Sequence, residues 1–154
     1  MRTALFSLSL LLVSLTPACK STGCCGTGCD PQVVVEKIAK ENPGVTRLTV
    51  HCLQAGGGAM ACASTSADKK GKPSDPEDLK AIQTGETVVL EEGGALDVTV
   101  PIMAKDGKFG AACGVTMKAD GMSRDQVVAK AKAVAQAVDT GLAGCCEGGA
   151  CCSK

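Results

Sequence analysis

The stretch that decides the fold is LDVTVPIMAKDGKFGAACGVTM, residues 96–117, in which two alternating runs flank Asp106-Gly107. An Asp-Gly pair between alternating runs is a strong signal for a two-residue hairpin turn. This turn places Lys105 opposite Lys108, and every second pair outward is apolar and lies on one face. These pairs are Ile102 with Ala111, Val100 with Cys113, Val98 with Val115 and Leu96 with Met117. The pattern predicts two long antiparallel strands with one buried face.

Three further strands and three helices are predicted outward from this hairpin. Asp30-Pro31 is a helix start, and Ser74 with Glu77 forms a capping box for a short helix. Ser123 with Gln126 starts a long helix that Gly141 closes. The predicted helices cover 32–41, 75–84 and 124–139, and the remaining strands cover 45–53, 59–65 and 87–91. The order of elements predicts an α+β fold, a five-stranded antiparallel sheet with flanking helices.

Several short motifs in the body of the chain resemble one known family. They are Ser64-Thr65, the run GKPSDPEDL at 71–79, Thr84-Gly85, VTVPI at 98–102, Asp106-Gly107-Lys108, Gly110 and Gly114. Together they resemble a Cache domain, the PAS-like extracytoplasmic sensor module of bacterial receptors, over most of residues 31–141. The resemblance implies a PAS/Cache-like sheet and a small organic ligand, often a carboxylate or amino acid, held between the sheet and the short-helix loop. The ligand-binding residues implied in this way are Lys72, Ser74, Thr99, Pro101 and Lys105.

The N-terminus is typical of a targeting segment. Arg2 precedes a short apolar run, and the segment ends in a small residue, Ala18. Residues 1–18 are therefore predicted to be a signal peptide. The apolar run is too short to span a bilayer. Cys19 then resembles the lipidated first residue of a bacterial lipoprotein, although ordinary cleavage after Ala18 is the alternative. We therefore expect an exported protein, periplasmic or in the cell envelope, attached to the membrane by an N-terminal lipid.

Besides Cys19, seven of the eleven cysteines lie in two Gly-rich segments, 19–29 and 143–154, that flank a domain predicted over 30–142. We call these seven the terminal cysteines: Cys24, Cys25, Cys29, Cys145, Cys146, Cys151 and Cys152. Disulfides between the two segments, a thiolate site for a soft metal ion such as Zn(II) or Cu(I), and links between chains are the three alternatives. The sequence alone leaves all three open.

The cysteines of the body form a separate set. Cys52 and Cys62 flank the turn Gly56-Gly57-Gly58 symmetrically, so a hairpin centred on Gly57 makes them candidates for a disulfide. A neighbouring last strand would bring Cys113 close to Cys52, which would allow a redox or soft-metal site. The third alternative is that all three are small buried hydrophobic residues.

Composition and motifs narrow the function. With 16 basic and 16 acidic residues the formal net charge is zero, which argues against a nucleic-acid partner. The only histidine, His51, lies on the strand face opposite Cys52, so we expect a surface or second-face residue rather than a Cys–His catalytic pair. No hydrolase, metalloprotease or phosphate-loop motif occurs, and no cofactor is indicated. The prediction is an exported, non-enzymatic, small-molecule-binding domain with cysteine-stapled ends; the alternative is a thiol-based metal-binding or redox protein.

Overall fold

The structure, a computed structural model, describes residues 30–146. For residues 144–146 it describes the backbone but not the side chains. The predicted signal peptide, the lipidation site Cys19 and the terminal cysteines Cys24, Cys25, Cys29, Cys151 and Cys152 therefore lie outside the described residues. No helix in the described range is long and apolar enough to cross a membrane.

Residues 30–146 form three helices and one five-stranded antiparallel sheet. The helices are α1 Pro31–Glu41, α2 Pro76–Thr84 and α3 Arg124–Cys146, and the strands are β1 Val45–Leu53, β2 Ala59–Ser64, β3 Val88–Glu92, β4 Ala95–Lys105 and β5 Lys108–Lys118. The strand order is β2-β1-β5-β4-β3. The predicted α+β class, strand number and order of elements are confirmed.

The β4–β5 hairpin has the predicted register. Lys105 lies opposite Lys108 and Leu96 opposite Met117, with the intervening apolar pairs as expected. Asp106 and Gly107 have φ values of 52° and 74°, the left-handed conformation that a two-residue turn of this kind requires. Asp-Gly meets this requirement because glycine has no Cβ and aspartate tolerates positive φ.

The two faces of the sheet carry different chemistry. On the α1/α3 face, α1 and α3 pack on apolar residues of β1, β4 and β5. The main buried residues there are Val35, Ile38, Leu48, Val50, Leu96, Val98, Cys113, Val115, Met117, Val127, Val134 and Val138. On the α2 face, α2 packs through Ala81 and Ile82 on Ala112, beside a row of buried polar residues. This polar row makes the α2 face the place to look for a site.

α2 begins one residue later than the capping box predicts. Asp75 is the N-cap, and the side chain of Asp78, not that of Glu77, accepts the backbone N–H of Asp75 at 3.1 Å. Ser74 does not cap the helix because its hydroxyl lies 2.8 Å from His51 Nδ1. A tertiary contact therefore displaces the local motif that the sequence favours.

α3 continues past Gly141 to Cys146, so the predicted end of this helix at Asp139 is wrong. α1 and α3 approach each other closely at Gly141: a Cβ there would lie 2.7 Å from Cγ1 of Val34. The glycine therefore serves close packing of two helices rather than a helix end, and sequence position cannot distinguish these two roles.

We expect Gly141→Ala to lower the free energy of unfolding by about 1 kcal/mol, because overpacking against the stiff Val34 side chain outweighs the gain in helix propensity. Ala137→Gly, an exposed site on the same helix, measures the propensity term alone. Denaturant unfolding of both variants is the measurement. A stabilised Gly141→Ala variant would contradict the close approach of α1 and α3.

Candidate functional site: the α2 face of the sheet

A buried polar cluster joins α2 to the sheet. Asp78 on α2 is 6% exposed and His51 on β1 is 8% exposed. His51 Nδ1 lies 3.2 Å from Asp78 Oδ2 and 2.8 Å from the hydroxyl of Ser74, and Thr99 on β4 donates to Asp78 Oδ1 at 3.1 Å. We call these four residues the His51 cluster. Since a buried polar group costs free energy unless it is paired, these bonds define how α2 sits on the sheet.

The backbone around His51 makes room for its ring. Gly114 on β5 lies opposite both Thr49 and Thr99 in the sheet. A Cβ at Gly114 would lie 3.4 Å from His51 Nε2, so glycine allows the imidazole to lie over β5. The prediction that His51 and Cys52 lie on opposite faces is confirmed. His51 lies on the second face of the sheet, one of the two expected positions, and it is buried there rather than at the surface because α2 covers the ring.

Burial dominates the ionisation of this cluster. Burial lowers the pKa of His51 to about 4. The negative charge of Asp75 opposes this shift, and the positive charges of Lys69 and Arg47 add to it. Burial also raises the pKa of Asp78 to about 6, although the hydrogen bonds from Thr99 and from the Asp75 backbone act to lower this pKa. At neutral pH the pair is therefore a neutral imidazole and a carboxylate. Because the carboxylate can only accept, Nδ1 carries the proton and the contact is a hydrogen bond rather than an ion pair.

A serine, a histidine and an aspartate meet here, but not as a catalytic triad. Ser74 and Asp78 both contact Nδ1 of His51, whereas a triad needs the carboxylate on one ring nitrogen and the nucleophile on the other. Within the described residues, Nε2 makes no hydrogen bond. The geometry positions α2 and does not activate the Ser74 hydroxyl.

A small cavity of about 20 Å³ borders the cluster. Arg47 lies at its edge and is held by Asp97 at 2.9 Å and Glu92 at 3.0 Å, while Thr116 donates to Asp97. A space of this size holds one water molecule and excludes an organic ligand. The centre of the sheet–α2 interface is therefore filled.

A larger cavity of about 320 Å³ opens at the C-terminal end of α2, which we call the Phe109 cavity. Leu53, Ile82 and Phe109 form its apolar part, and its polar and backbone lining comes from Gln83, Thr84, Gly85, Gly107 and Lys108. Phe109 fits beside the end of α2 because Gly85 has no side chain: a Cβ there would lie 2.6 Å from Phe109 Cε2. Gly85 also ends the helix as predicted, with φ of 73°.

The structure separates the ligand residues that the resemblance implies. Ser74 and Thr99 meet in the His51 cluster, where both bond to groups of the protein. Lys72 is exposed in the loop before α2, Pro101 is half-buried in β4, and Lys105 is exposed beside the β4–β5 turn. None of these three lines either cavity. Their role in ligand binding stays a prediction.

Sequence reasoning missed the Phe109 cavity and the burial of Asp78. Phe109 is the only aromatic residue after the predicted signal peptide, which is a usable signal for a cavity wall. Asp78 carried no such signal, because a carboxylate in the first turn of a helix is usually an exposed capping residue.

Cys52 and Cys62 form a disulfide, which confirms that candidate pair. The register differs from the symmetric hairpin, since Cys52 lies opposite Met60. An irregularity then follows between Val50 and His51, where Cys62 falls between the paired residues Ala61 and Ala63. The Cα atoms of Cys52 and Cys62 are 6.0 Å apart, within the range for a disulfide.

Cys113 lies on β5 opposite Val50, so β5 does neighbour β1 as expected. It is a fully buried free thiol whose pKa is raised by burial. Among the side chains that the structure describes, those of residues 30–143, no group of three or more His, Cys, Asp or Glu is placed to hold a metal ion. The three-thiol metal site considered for Cys52, Cys62 and Cys113 is therefore not formed, because two of the thiols are joined to each other.

Comparisons with solved structures agree with this architecture. The second GAF domain of DevS from Mycobacterium smegmatis is 17% identical, with 75% of this chain and 96% of that chain covered and a TM-score of 0.52. The A. aeolicus nlh2 GAF domain in an inactive state is 13% identical, covering 75% and 81%, with a TM-score of 0.51. Similarity at this level shows that the fold is that of GAF domains, a PAS-like fold.

A type II free methionine-R-sulfoxide reductase from Thermoplasma acidophilum is also similar, with 14% identity, coverage of 70% and 88%, and a TM-score of 0.49. No family model and no curated protein matches the sequence. The PAS-like part of the predicted resemblance is confirmed, and the assignment to Cache domains stays a prediction.

The two shifted groups of the His51 cluster oppose each other in their effect on stability. A histidine with a lowered pKa loses stability as the pH falls through the range from 6.5 to about 4, because the unfolded state binds the proton first. An aspartate with a raised pKa loses stability as the pH rises from 3.8 to about 6, because the folded state then holds the extra proton. In the intact pair the two slopes largely cancel.

We therefore expect Asp78→Asn to make the protein less stable as the pH falls from about 6.5 to 4. His51→Gln should have the opposite slope, with stability falling as the pH rises from about 4 to 6. Urea unfolding at pH 4 to 7 is the measurement, with Glu41→Gln, an exposed site at the end of α1, as the control. Slopes of the same sign in both variants would exclude this assignment of protons.

Proposed function

We propose that this protein is an exported, non-enzymatic domain of the sensor type that binds a small organic ligand in the Phe109 cavity. The observation that carries this proposal is the cavity itself, which is the one of the two described cavities large enough for an organic molecule. Its volume of about 320 Å³ is at the lower end of the range for small-molecule sites. The fold shared with GAF domains supports it only by analogy.

The lining of the Phe109 cavity favours a small organic acid with an apolar body. Leu53, Ile82 and Phe109 offer an apolar wall, and Lys108 is the only ionisable side chain in the lining. A carboxylate can bond to the Lys108 ammonium group while the rest of the molecule packs on the Phe109 ring. A small cavity with a single exposed cation fits a compact ligand of this kind rather than a polyanion.

The position of the cavity links ligand binding to α2 and the β4–β5 hairpin. Gly85 ends α2, and Phe109 follows the turn of the hairpin at Gly107 by two residues. A ligand between them contacts both elements at once. The opposite half of α2 is held by the His51 cluster, so the C-terminal end is the part of the helix that a ligand can shift without breaking buried hydrogen bonds.

Export is supported by the Cys52–Cys62 disulfide, since disulfides persist in oxidising compartments. We propose that Cys19 carries a lipid that holds the domain at the membrane surface. The alternative function, a thiol-based metal-binding or redox protein, would use the terminal cysteines, and it depends on those thiols being free to bind metal.

A screen of small carboxylic acids by ligand-observed NMR and thermal shift tests ligand binding. We expect at least one acid to raise the melting temperature, and Lys108→Ala to weaken its binding about 5-fold, the loss of one exposed charge-assisted contact worth about 1 kcal/mol. Lys118→Ala, at the far end of the same strand, is the matched control and should bind normally. Absence of any binding acid, or an equal loss in both variants, would overturn the proposed site.

Membrane attachment has its own test. In a bacterial host that processes lipoproteins, the intact chain should appear in the membrane fraction with a mature N-terminus at an acylated Cys19. Cys19→Ser should move the protein to the soluble exported fraction, because the acyl chains that anchor it are gone. A soluble wild-type protein that begins at an unmodified Cys19 would exclude the anchor.

A further inference from the structure

The end of the β4–β5 hairpin is rotated relative to the rest of the hairpin. In β5 the side chains of Ala111 and Cys113 lie in the α1/α3 core, so regular alternation would place Phe109 there as well. Phe109 instead packs on the α2 face and lines its cavity. Met103 in β4 shows the opposite exchange, because Thr99 on the same strand faces α2 whereas Met103 packs against the α1/α3 core. Both strands have therefore changed faces before the turn.

The exchange of faces takes place at one pair of residues. Between residues 95 and 118, every opposed pair of β4 with β5 is formed except Met103 with Gly110. The pairs on either side keep one register, so neither strand contains an extra residue. Met103 has a φ of 59°, a left-handed conformation that is uncommon for a residue other than glycine. A residue in this conformation interrupts the pleat, which accounts for the rotation without a change of register.

Asp139 on α3 holds this irregular position. Its Oδ1 accepts the backbone N–H of Met103 at 2.8 Å. The Met103 N–H thus has an acceptor on α3, while Gly110, its neighbour across the hairpin, is not paired with it. A hydrogen bond to a carboxylate is stronger than one to a neutral carbonyl, so Asp139 is well suited to hold a backbone conformation that is otherwise unfavourable.

Local preferences give no reason for an aspartate at position 139. Aspartate is among the poorer helix formers, and α3 is otherwise rich in alanine and valine at this point. The Asp139 side chain is half-buried, and it takes part in none of the salt bridges of residues 30–143. The bond to Met103 is therefore the interaction that accounts for this residue.

The rotated segment, residues 103–110, which we call the hairpin end, forms part of the Phe109 cavity. It supplies three of the lining residues, Gly107, Lys108 and Phe109. If regular alternation were restored, the Phe109 ring would leave the α2 face and the Met103 side chain would take its place. Both side chains are apolar, which makes the regular arrangement the natural competitor of the rotated one.

We propose that Asp139 is a positioning residue of the Phe109 cavity. By holding the Met103 N–H it keeps the hairpin end rotated, and so keeps the Phe109 ring rather than the Met103 side chain in the cavity wall. A ligand in this cavity then favours the state in which α3 holds the hairpin end. The positioning of Phe109 does not depend on a ligand, whereas the effect on ligand affinity rests on the proposed function.

NMR spectroscopy of the full chain tests the positioning without a ligand. Phe109 is the only Phe, Tyr or Trp after residue 6, so its ring signals are unambiguous, and the ring lies against Gly85. We expect NOEs between the Phe109 ring and the Gly85 α-protons in the wild-type protein and their loss in Asp139→Ala. Asp139→Asn should keep them, because the amide oxygen still accepts the N–H. Asp125→Ala, an exposed site in the first turn of α3, is the matched control and should also keep them.

A second pair of variants acts on the other partner of the bond. Met103→Val should lose the same NOEs although Asp139 is intact, because a β-branched residue strongly disfavours positive φ. Met103→Leu has an unbranched Cβ and should keep them. Wild-type NOEs in Asp139→Ala, or an equal loss in Asp139→Asn, would overturn the proposal. If Asp139→Ala does not fold, Met103→Val decides, and NOEs as strong as those of Met103→Leu would overturn it.

Ligand titration tests the link to the cavity, with an acid found in the screen described above. We expect Asp139→Ala to raise the dissociation constant about 10-fold, the change in population that follows from losing one charge-assisted hydrogen bond. Asp139→Asn and Asp125→Ala should bind like the wild-type protein. Loss of the ring NOEs with unchanged affinity would overturn the link between Asp139 and the ligand site. If no acid binds while the NOEs depend on Asp139 as expected, the proposed function fails and the positioning of Phe109 stands.

Discussion

The pairing of β5 with both β4 and β1 is the constraint on which the rest of the structure depends. β5 is the central strand, and its residues alternate between the two faces of the sheet. Cys113, Val115 and Met117 face α1 and α3, while Ala112, Gly114 and Thr116 face α2. A register shift of one residue would exchange these sets, placing polar groups in the apolar core and methyl groups under α2. The Asp106-Gly107 turn sets this register because few residue pairs adopt its backbone conformation.

The division of chemistry between the faces follows from that register. The apolar face supplies most of the buried hydrophobic area without an aromatic residue, so stability there depends on close packing of Val, Ala, Leu, Ile and Met. Gly141 is part of this packing, since it lets α1 and α3 approach. The polar face instead holds α2 through specific hydrogen bonds, and the neutral His51 beside the Asp78 carboxylate is the central pair. Their opposite pKa shifts leave the pair with little net dependence on pH, although each group alone is strongly perturbed.

The likeness to GAF domains concerns the fold alone. The fold provides a sheet with one face covered by a short helix, and such a face can be filled or open along its length. In this protein the face under α2 is filled at the His51 cluster and open at Phe109. The ligand residues that the resemblance implies therefore do not line the larger cavity. Ser74 and Thr99 are examples of implied ligand residues that lie away from the open cavity, because their hydroxyl groups form hydrogen bonds within the protein.

The sequence by itself determined the elements whose signals are local. The alternation in β4 and β5, the Asp-Gly turn, the Asp30-Pro31 helix start and the stop at Gly85 each depend on residues close in the chain, and all four are present in the structure. Only the tertiary structure decided the roles that depend on partners far along the chain: Ser74 as a partner of His51 rather than a cap, Gly141 as a contact rather than a helix end, and Asp78 as a buried group. In each case the local motif permits two roles. The choice between them is made by a neighbour that packing brings close, and no pattern of nearby residues contains that information.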